Sequence, residues 1–211
     1  MLEAVDMQHM TLRCLVALLV AVTLLSGACA GASSSKHQTV SASRLVLHPA
    51  DLGYGWAPIA SQGTGRVSLA QQLAQDKEPA AQDIDRRSFR GAYRAFSVAA
   101  NHDFVLSEAV EYAARSDATT LYHGQGDLPR YLKKTHQRRV AVPASAPGSD
   151  PILITTRLPV GGVETHGYLL FWQHGPVVEL LMLLGNNADV SPSQVVALAK
   201  HQDRLATTAG L

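Results

Sequence analysis

Apolar positions follow two regimes along this chain. Residues 14–25 form an almost unbroken apolar run behind Arg13, whereas beyond residue 44 the apolar positions come in short blocks divided by Gly, Pro, Asn and Asp. The second pattern belongs to a compact fold of short strands and helices. Leu45, Val46 and Leu47 open it. Pro49, Gly53 and Gly55 confine any helical turn that follows, and residues 56–59 predict an edge strand. Residues 68–75 predict a short helix, and the polar stretch 77–87 a loop. Residues 93–98 and 104–112 predict two strands turning through Asn101, His102 and Asp103. In the second of these Phe104, Leu106, Val110 and Tyr112 share a face, with Glu108 the polar exception.

Further along, residues 116–123 predict a helix broken by Gly124 and Gly126. Asp127 is placed to cap another over 128–138, with Pro129 in its first turn. Residues 142–151 carry loop composition, and 152–158 form a β-branched strand. Residues 164–172 and 177–184 predict a hairpin through Gln173, His174, Gly175 and Pro176. Both arms are apolar on both faces, which suits the middle of a sheet covered on each side. Ser191 and Gln194 have the spacing of a capping box, and Val195, Leu198, Ala199, Gln202 and Leu205 line one stripe of the helix that follows. The expected fold class is α+β: an antiparallel sheet with helices packed against it, closing in a strand hairpin followed by a helix.

The apolar run at 14–25 is shorter than the roughly 20 residues a bilayer span requires, and has the length of a signal-peptide core. It ends in Leu25-Ser26-Gly27-Ala28-Cys29, which resembles the lipobox of bacterial lipoproteins, with small residues at the two positions before the cysteine. Ser26 stands where that motif most often has Leu. The resemblance implies cleavage between Ala28 and Cys29, acylation of Cys29, and retention at the extracytoplasmic face of the cell membrane. Several acyl chains on one residue give lasting attachment where one is marginal. The other readings are an ordinary secretory signal cut after Ala28 or Ala30, or a retained single span. Glu3 and Asp6 are unusual ahead of such a run, which points to Met10 or Met7 as the start in place of Met1. The expected division is 1–28 signal peptide, 29–43 acylated Cys29 and tether, and 44–211 a single extracytoplasmic domain. The small polar stretch 32–43 is a coil averaging roughly 20 Å.

Composition narrows the classes. The chain has 211 residues, is 46% hydrophobic and carries a formal charge of +1. The leader holds Arg13 against Glu3 and Asp6, so its removal moves the charge to +2. That is too near neutral for a general nucleic-acid binder. The two cysteines, Cys14 and Cys29, leave no disulfide, thiol nucleophile or cysteine metal site after processing.

The segment from Gly167-Tyr168-Leu169-Leu170-Phe171 through Gly175 and Gly185 to Val195-Val196-Ala197-Leu198-Ala199-Lys200 is similar to the end of actinobacterial-type surface lipoproteins. Ala50-Asp51-Leu52 with Gly55-Trp56 resembles their frequent opening. The group is that of PknH-sensor and PsbP-like (LpqN-type) lipoproteins. The resemblance implies a sensor-like architecture and transfers no catalytic residue. The paired cysteines common in the sensor domains are missing here.

Candidate chemistry is sparse. The nine histidines, among them His123, His136, His166 and His174, make no compact ligand spacing, so no metal and no cofactor is expected. Gly-x-Ser-x-Gly does not occur after the leader and Ser-x-x-Lys occurs only in the polar tether, at Ser33–Lys36, so no catalytic residue is assigned. Glu179 interrupts a very apolar strand and is expected to face a solvent groove or pair with a helix Lys or Arg. Lys133, Lys134, Arg138 and Arg139, with His136, form the basic cluster. At a helix C-terminus the macrodipole explains them; contact with anionic headgroups or cell-wall polymer is the functional reading. Tyr54, Trp56, Tyr168 and Trp172 either line a ligand groove or fill the core. Together these give a membrane-tethered, non-catalytic domain binding a small ligand or an envelope protein. The alternatives are an envelope hydrolase whose site is not visible as a motif, and a structural or assembly lipoprotein.

Overall fold

The computed structural model describes residues 41–59, 64–76, 78–124, 137–160, 162–186 and 190–211. A 3-10 turn at Ala42–Arg44 leads to Leu45, Val46 and Leu47, all fully buried. The elements that follow are α1 (Pro49–Leu52), β1 (Trp56–Pro58), β2 (Gly65–Val67), α2 (Leu69–Gln75), α3 (Pro79–Ser88), β3 (Phe89–Ala99), β4 (Phe104–Tyr112) and α4 (Arg115–His123). Then come β5 (Arg139–Val140), β6 (Ser149–Val160), β7 (Val163–His174), β8 (Val177–Gly185) and α5 (Pro192–Thr208). Among these helices none is long and apolar enough to cross a membrane.

All eight strands form one antiparallel sheet in the order β1-β3-β4-β8-β7-β6-β5, with β2 also pairing β3. The two hairpin systems, β3–β4 and β6–β7–β8, therefore meet at a single seam between β4 and β8, with Ser107 opposite Leu181. Every residue of β4 is buried. One face of the sheet carries Leu170, Trp172, Leu181 and Leu183 against Leu47 of the N-terminal segment and Val195, Val196 and Ala199 of α5. On the opposite face Phe104, Leu106, Phe171 and Met182 pack with Tyr122, and Val110 and Tyr112 with Ile84 and Ala118. The central strands are thus covered on both sides, as their continuous apolar runs require.

Local chemistry explains the ends of the elements. Ser68 and Ser191 accept from the main-chain N–H groups of Gln71 and Gln194, whose side chains return the bond, so α2 and α5 open with capping boxes. In the β3–β4 turn the Asp103 N–H donates to Asn101 Oδ1, and His102 sits at φ 67°. Gly167 lies mid-strand in β7, where a Cβ would collide with the Leu183 carbonyl oxygen of β8.

Three expectations are corrected. Residues 79–88 form a helix rather than a loop. Pro79 opens α3, and the buried face is built from Ala81, Ile84, Asp85 and Ser88, so half of it looks polar in sequence. The strand expected from residue 152 begins at Ser149, inside the stretch read as loop. The buried stripe of α5 is Val195, Val196, Ala199, Gln202 and Ala206, while Leu198 and Leu205 are only partly buried.

Leu181 is fully buried at the seam, so Leu181→Ala costs about 2–5 kcal/mol in chemical denaturation. Leu198→Ala costs less, because that side chain is already part-exposed. Gly167→Ala, in a strand where Ala ordinarily gains a few tenths of a kcal/mol over Gly, is instead strongly destabilising. A midpoint unchanged from wild type would show that β7 and β8 do not approach so closely there.

Candidate functional site

Two buried polar clusters lie on opposite faces of the sheet. The first occupies the α2–α3 side. Asp76 at the end of α2 and Asp85 in α3 are 1% and 0% exposed. Gln72 Nε2 donates to Asp76 Oδ2 at 3.2 Å, and the Tyr112 hydroxyl donates to Asp85 Oδ1 at 3.3 Å. The other oxygens, Asp76 Oδ1 and Asp85 Oδ2, have no further hydrogen-bond partner. One proton held between the two carboxyls satisfies both. Burial, then the hydrogen bond and charge of Asp85, push the Asp76 carboxyl up to about 9. Burial also raises Asp85, against the bonds it accepts from Asp76 and Tyr112, and burial raises the Tyr112 hydroxyl well above its ordinary value.

Beside this pair, Glu108 is only 4% exposed. Arg94 Nε donates to its Oε2 at 2.8 Å, and an Arg94 terminal nitrogen donates to Oε1 at 2.7 Å. Burial works against the Arg94 charge, but Glu108 outweighs it and raises the guanidinium pKa. These groups are locked to one another beneath the helices, so this cluster is a proton-linked structural joint, out of reach of a substrate.

The second cluster lies under α5. The register sets Trp172 opposite Glu179 and His174 opposite Val177, which puts His174 and Glu179 diagonally on one face. From α5, Asp203 Oδ1 comes to 2.9 Å from His174 Nδ1. The other ring nitrogen, Nε2, lies 3.1 Å from the main-chain oxygen of Leu211. Glu179 is fully buried, and neither its oxygens nor the Trp172 indole N–H makes a hydrogen bond of ordinary geometry. Burial, with the charge of Asp203, pushes the Glu179 carboxyl up to about 8, while weak hydrogen bonding from the Trp172 indole and the Gln202 amide pulls the other way. One donor atom each from His174, Glu179 and Asp203 lies within 4.8 Å of the others. His174 and Asp203 side chains are each 22% exposed, so this cluster reaches solvent.

Glu179 therefore differs from expectation. It faces the core under α5, and among the described residues no lysine or arginine forms an ion pair with it. The helix expected over 128–138 lies largely outside the described residues. Lys133, Lys134 and His136 lie outside the described residues, but Arg139 belongs to the edge strand β5 and Arg138 precedes it, both exposed. The aromatic groups do not converge on a groove. Trp172 is fully buried, with Trp56 and Tyr168 packed partly against the same core, whereas Tyr54 projects into solvent between Gly53 and Gly55, both at positive φ. His123 and His166 stand apart from the cluster, His166 3.8 Å from Glu164. Cys29 and Ala28 lie outside the described residues.

No protein-family model matches the sequence, and no curated protein matches it. Among solved structures, the extracellular domain of PknH from Mycobacterium tuberculosis is similar at a TM-score of 0.46 and 12% identity, covering 80% of this chain and 99% of that one.

The carboxyl pair ties stability to pH. Folded Asp76 keeps its proton to about pH 9, whereas an unfolded aspartate releases it near pH 4. Between those values the folded state binds more protons, so stability is greatest below the window and is lost as pH rises through it. Asp76→Asn, whose amide can donate to Asp85, is expected to remove up to about 1.4 kcal/mol per pH unit of that slope. Glu179 leaves a remainder of the same sign. Urea midpoints for both proteins from pH 5 to 9 check this; parallel curves would mean that no proton is shared.

Proposed function

We propose that the chain is a lipid-anchored extracytoplasmic lipoprotein whose α+β domain binds a ligand or partner in the cell envelope without catalysing a reaction. The observation that carries this reading is the apolar leader ending in Ala28-Cys29. The tether from Cys29 leads into Leu45, Val46 and Leu47, fully buried under the sheet, so a lipid at Cys29 would hold the folded domain through its own core. The reading as a binding domain rests on the internal pairing of the reactive groups. Asp76 is tied to Asp85, Arg94 to Glu108, and Ser107 to Gln202, all within the core.

Cys29→Ser is expected to abolish acyl labelling and to release or mis-process the protein. Intact-mass analysis of the wild type should find a diacylglyceryl-modified Cys29 at the N-terminus; an unmodified N-terminus there or further along would overturn the lipoprotein reading.

The exposed Arg138 and Arg139, with Lys133 and Lys134 close by in sequence, supply the surface for anionic headgroups. Each cation near such a surface contributes about 1 kcal/mol, screened over about 8–10 Å at physiological salt. Replacing all four with Gln is expected to weaken co-sedimentation of the Cys29→Ser protein with anionic vesicles and to leave neutral vesicles unaffected. Equal pelleting of variant and parent at low salt would remove this surface from the proposal.

A further inference from the structure

The group under α5 holds an imbalance that packing alone does not resolve. A carboxylic acid fully buried at Glu179, with no hydrogen bond of ordinary geometry and only the weak approach of the Trp172 indole and the Gln202 amide, is expensive to keep in a core. Next to it, both ring nitrogens of His174 face oxygen acceptors, Asp203 Oδ1 at 2.9 Å and the Leu211 main-chain oxygen at 3.1 Å. A neutral imidazole carries one N–H and can serve only one of them. When Nε2–H donates to Leu211, the Nδ1 lone pair points at a carboxylate oxygen. That contact is repulsive unless a proton or a cation stands at Nδ1.

We propose that His174, Glu179 and Asp203 form a binding site for one divalent first-row transition cation of the Zn²⁺ class. This assignment does not rest on the lipoprotein reading and stands or falls separately. One cation beside Nδ1 gives Glu179 the firm partner it lacks and turns the His174–Asp203 contact into shared ligation. Two carboxylates balance its charge, and imidazole beside carboxylate favours zinc or its neighbours over magnesium or calcium. The Leu211 main-chain oxygen fixes the ring and its tautomer from outside the ligand set, as partners of metal-bound histidines commonly do. Three protein ligands leave a coordination position for water or an anionic group, and the part-exposed His174 and Asp203 side chains connect the site to solvent.

The competing arrangement is a plain ion pair between His174 imidazolium and Asp203, with Glu179 a neutral passenger. Titration of the chelator-treated full chain with ZnCl₂ in a calorimeter separates the two. The expected result is one Zn²⁺ per chain at the site, with affinity at least about 100-fold weaker in Glu179→Gln and in Asp203→Asn, beyond the roughly 10–100-fold typical of outer-shell changes. His123→Ala and His166→Ala should bind as wild type. Because Trp172 lies opposite Glu179, Co²⁺ should also quench indole emission in a Trp56→Phe background, and that quenching should vanish with Asp203→Asn. If Glu179→Gln loses its fold by circular dichroism, the part-exposed Asp203→Asn decides alone. Zinc binding undiminished in Asp203→Asn, or no stoichiometric binding by the wild type, overturns the site.

Discussion

Burial of the central strands on both faces is the constraint from which the rest of this structure follows. In a sheet with one wet face, alternate residues are free to be polar. Here β4 and β8 have no such outlet, so each polar group on them must find its partner inside the fold. Ser107 does so by joining three elements: the Leu47 N–H donates to its hydroxyl at 2.9 Å, and the hydroxyl donates to Gln202 Oε1 of α5 at 2.7 Å. The Gln202 amide then donates to the Glu108 carbonyl at 3.1 Å. This short network fixes where the N-terminal segment and the last helix lie across the seam.

The same constraint treats charge differently on the two faces. Under α2 and α3, Glu108 obtains a bidentate arginine, and the neighbouring aspartates hold a proton between them. Under α5, Glu179 has neither a guanidinium nor a second bonded carboxyl, only the flank of a histidine–aspartate contact. Breaking a buried ion pair by removing one partner costs several kcal/mol, which makes Arg94–Glu108 a firm joint. An acid without a firm partner leaves the other face open to a new occupant.

Much of the architecture was legible from periodicity. The β7–β8 hairpin and its central place follow from arms apolar on both faces, and the opening of α5 follows from Ser191 and Gln194. α3 escaped because its buried face includes Asp85 and Ser88, polar residues whose burial makes sense only once Tyr112 and the Ala113 N–H are known to receive them. The stripe of α5 was misjudged by the same logic, since a short Ala206 sits deeper than Leu205 where helix and sheet come close. Of the α5-side cluster, only the His174–Glu179 diagonal was available in principle, from the register a tight turn imposes. Asp203 lies 29 positions beyond His174, and nothing in spacing alone brings a helix residue down onto a strand end. The Asp76–Asp85 pair was hidden likewise, because one partner lay in a stretch that composition marked as loop.

The β4–β8 seam has a consequence for how the chain is made. The N-terminal half can complete β1, β2 and β3 around β4 soon after they emerge, but the outer edge of β4 waits for a strand about seventy positions later. Until β8 arrives, that edge offers unpaired N–H and carbonyl groups along an apolar strand, the kind of template that invites the wrong neighbour. Closing the seam is a long-range event whose loop entropy is met before any contact across it is gained. A ribosome or translocon that pauses between residues 112 and 177 would therefore leave the half-made sheet at its most adhesive. Any helper that attends this protein has its work to do in that interval, when one strand edge is finished and its mate is still unmade.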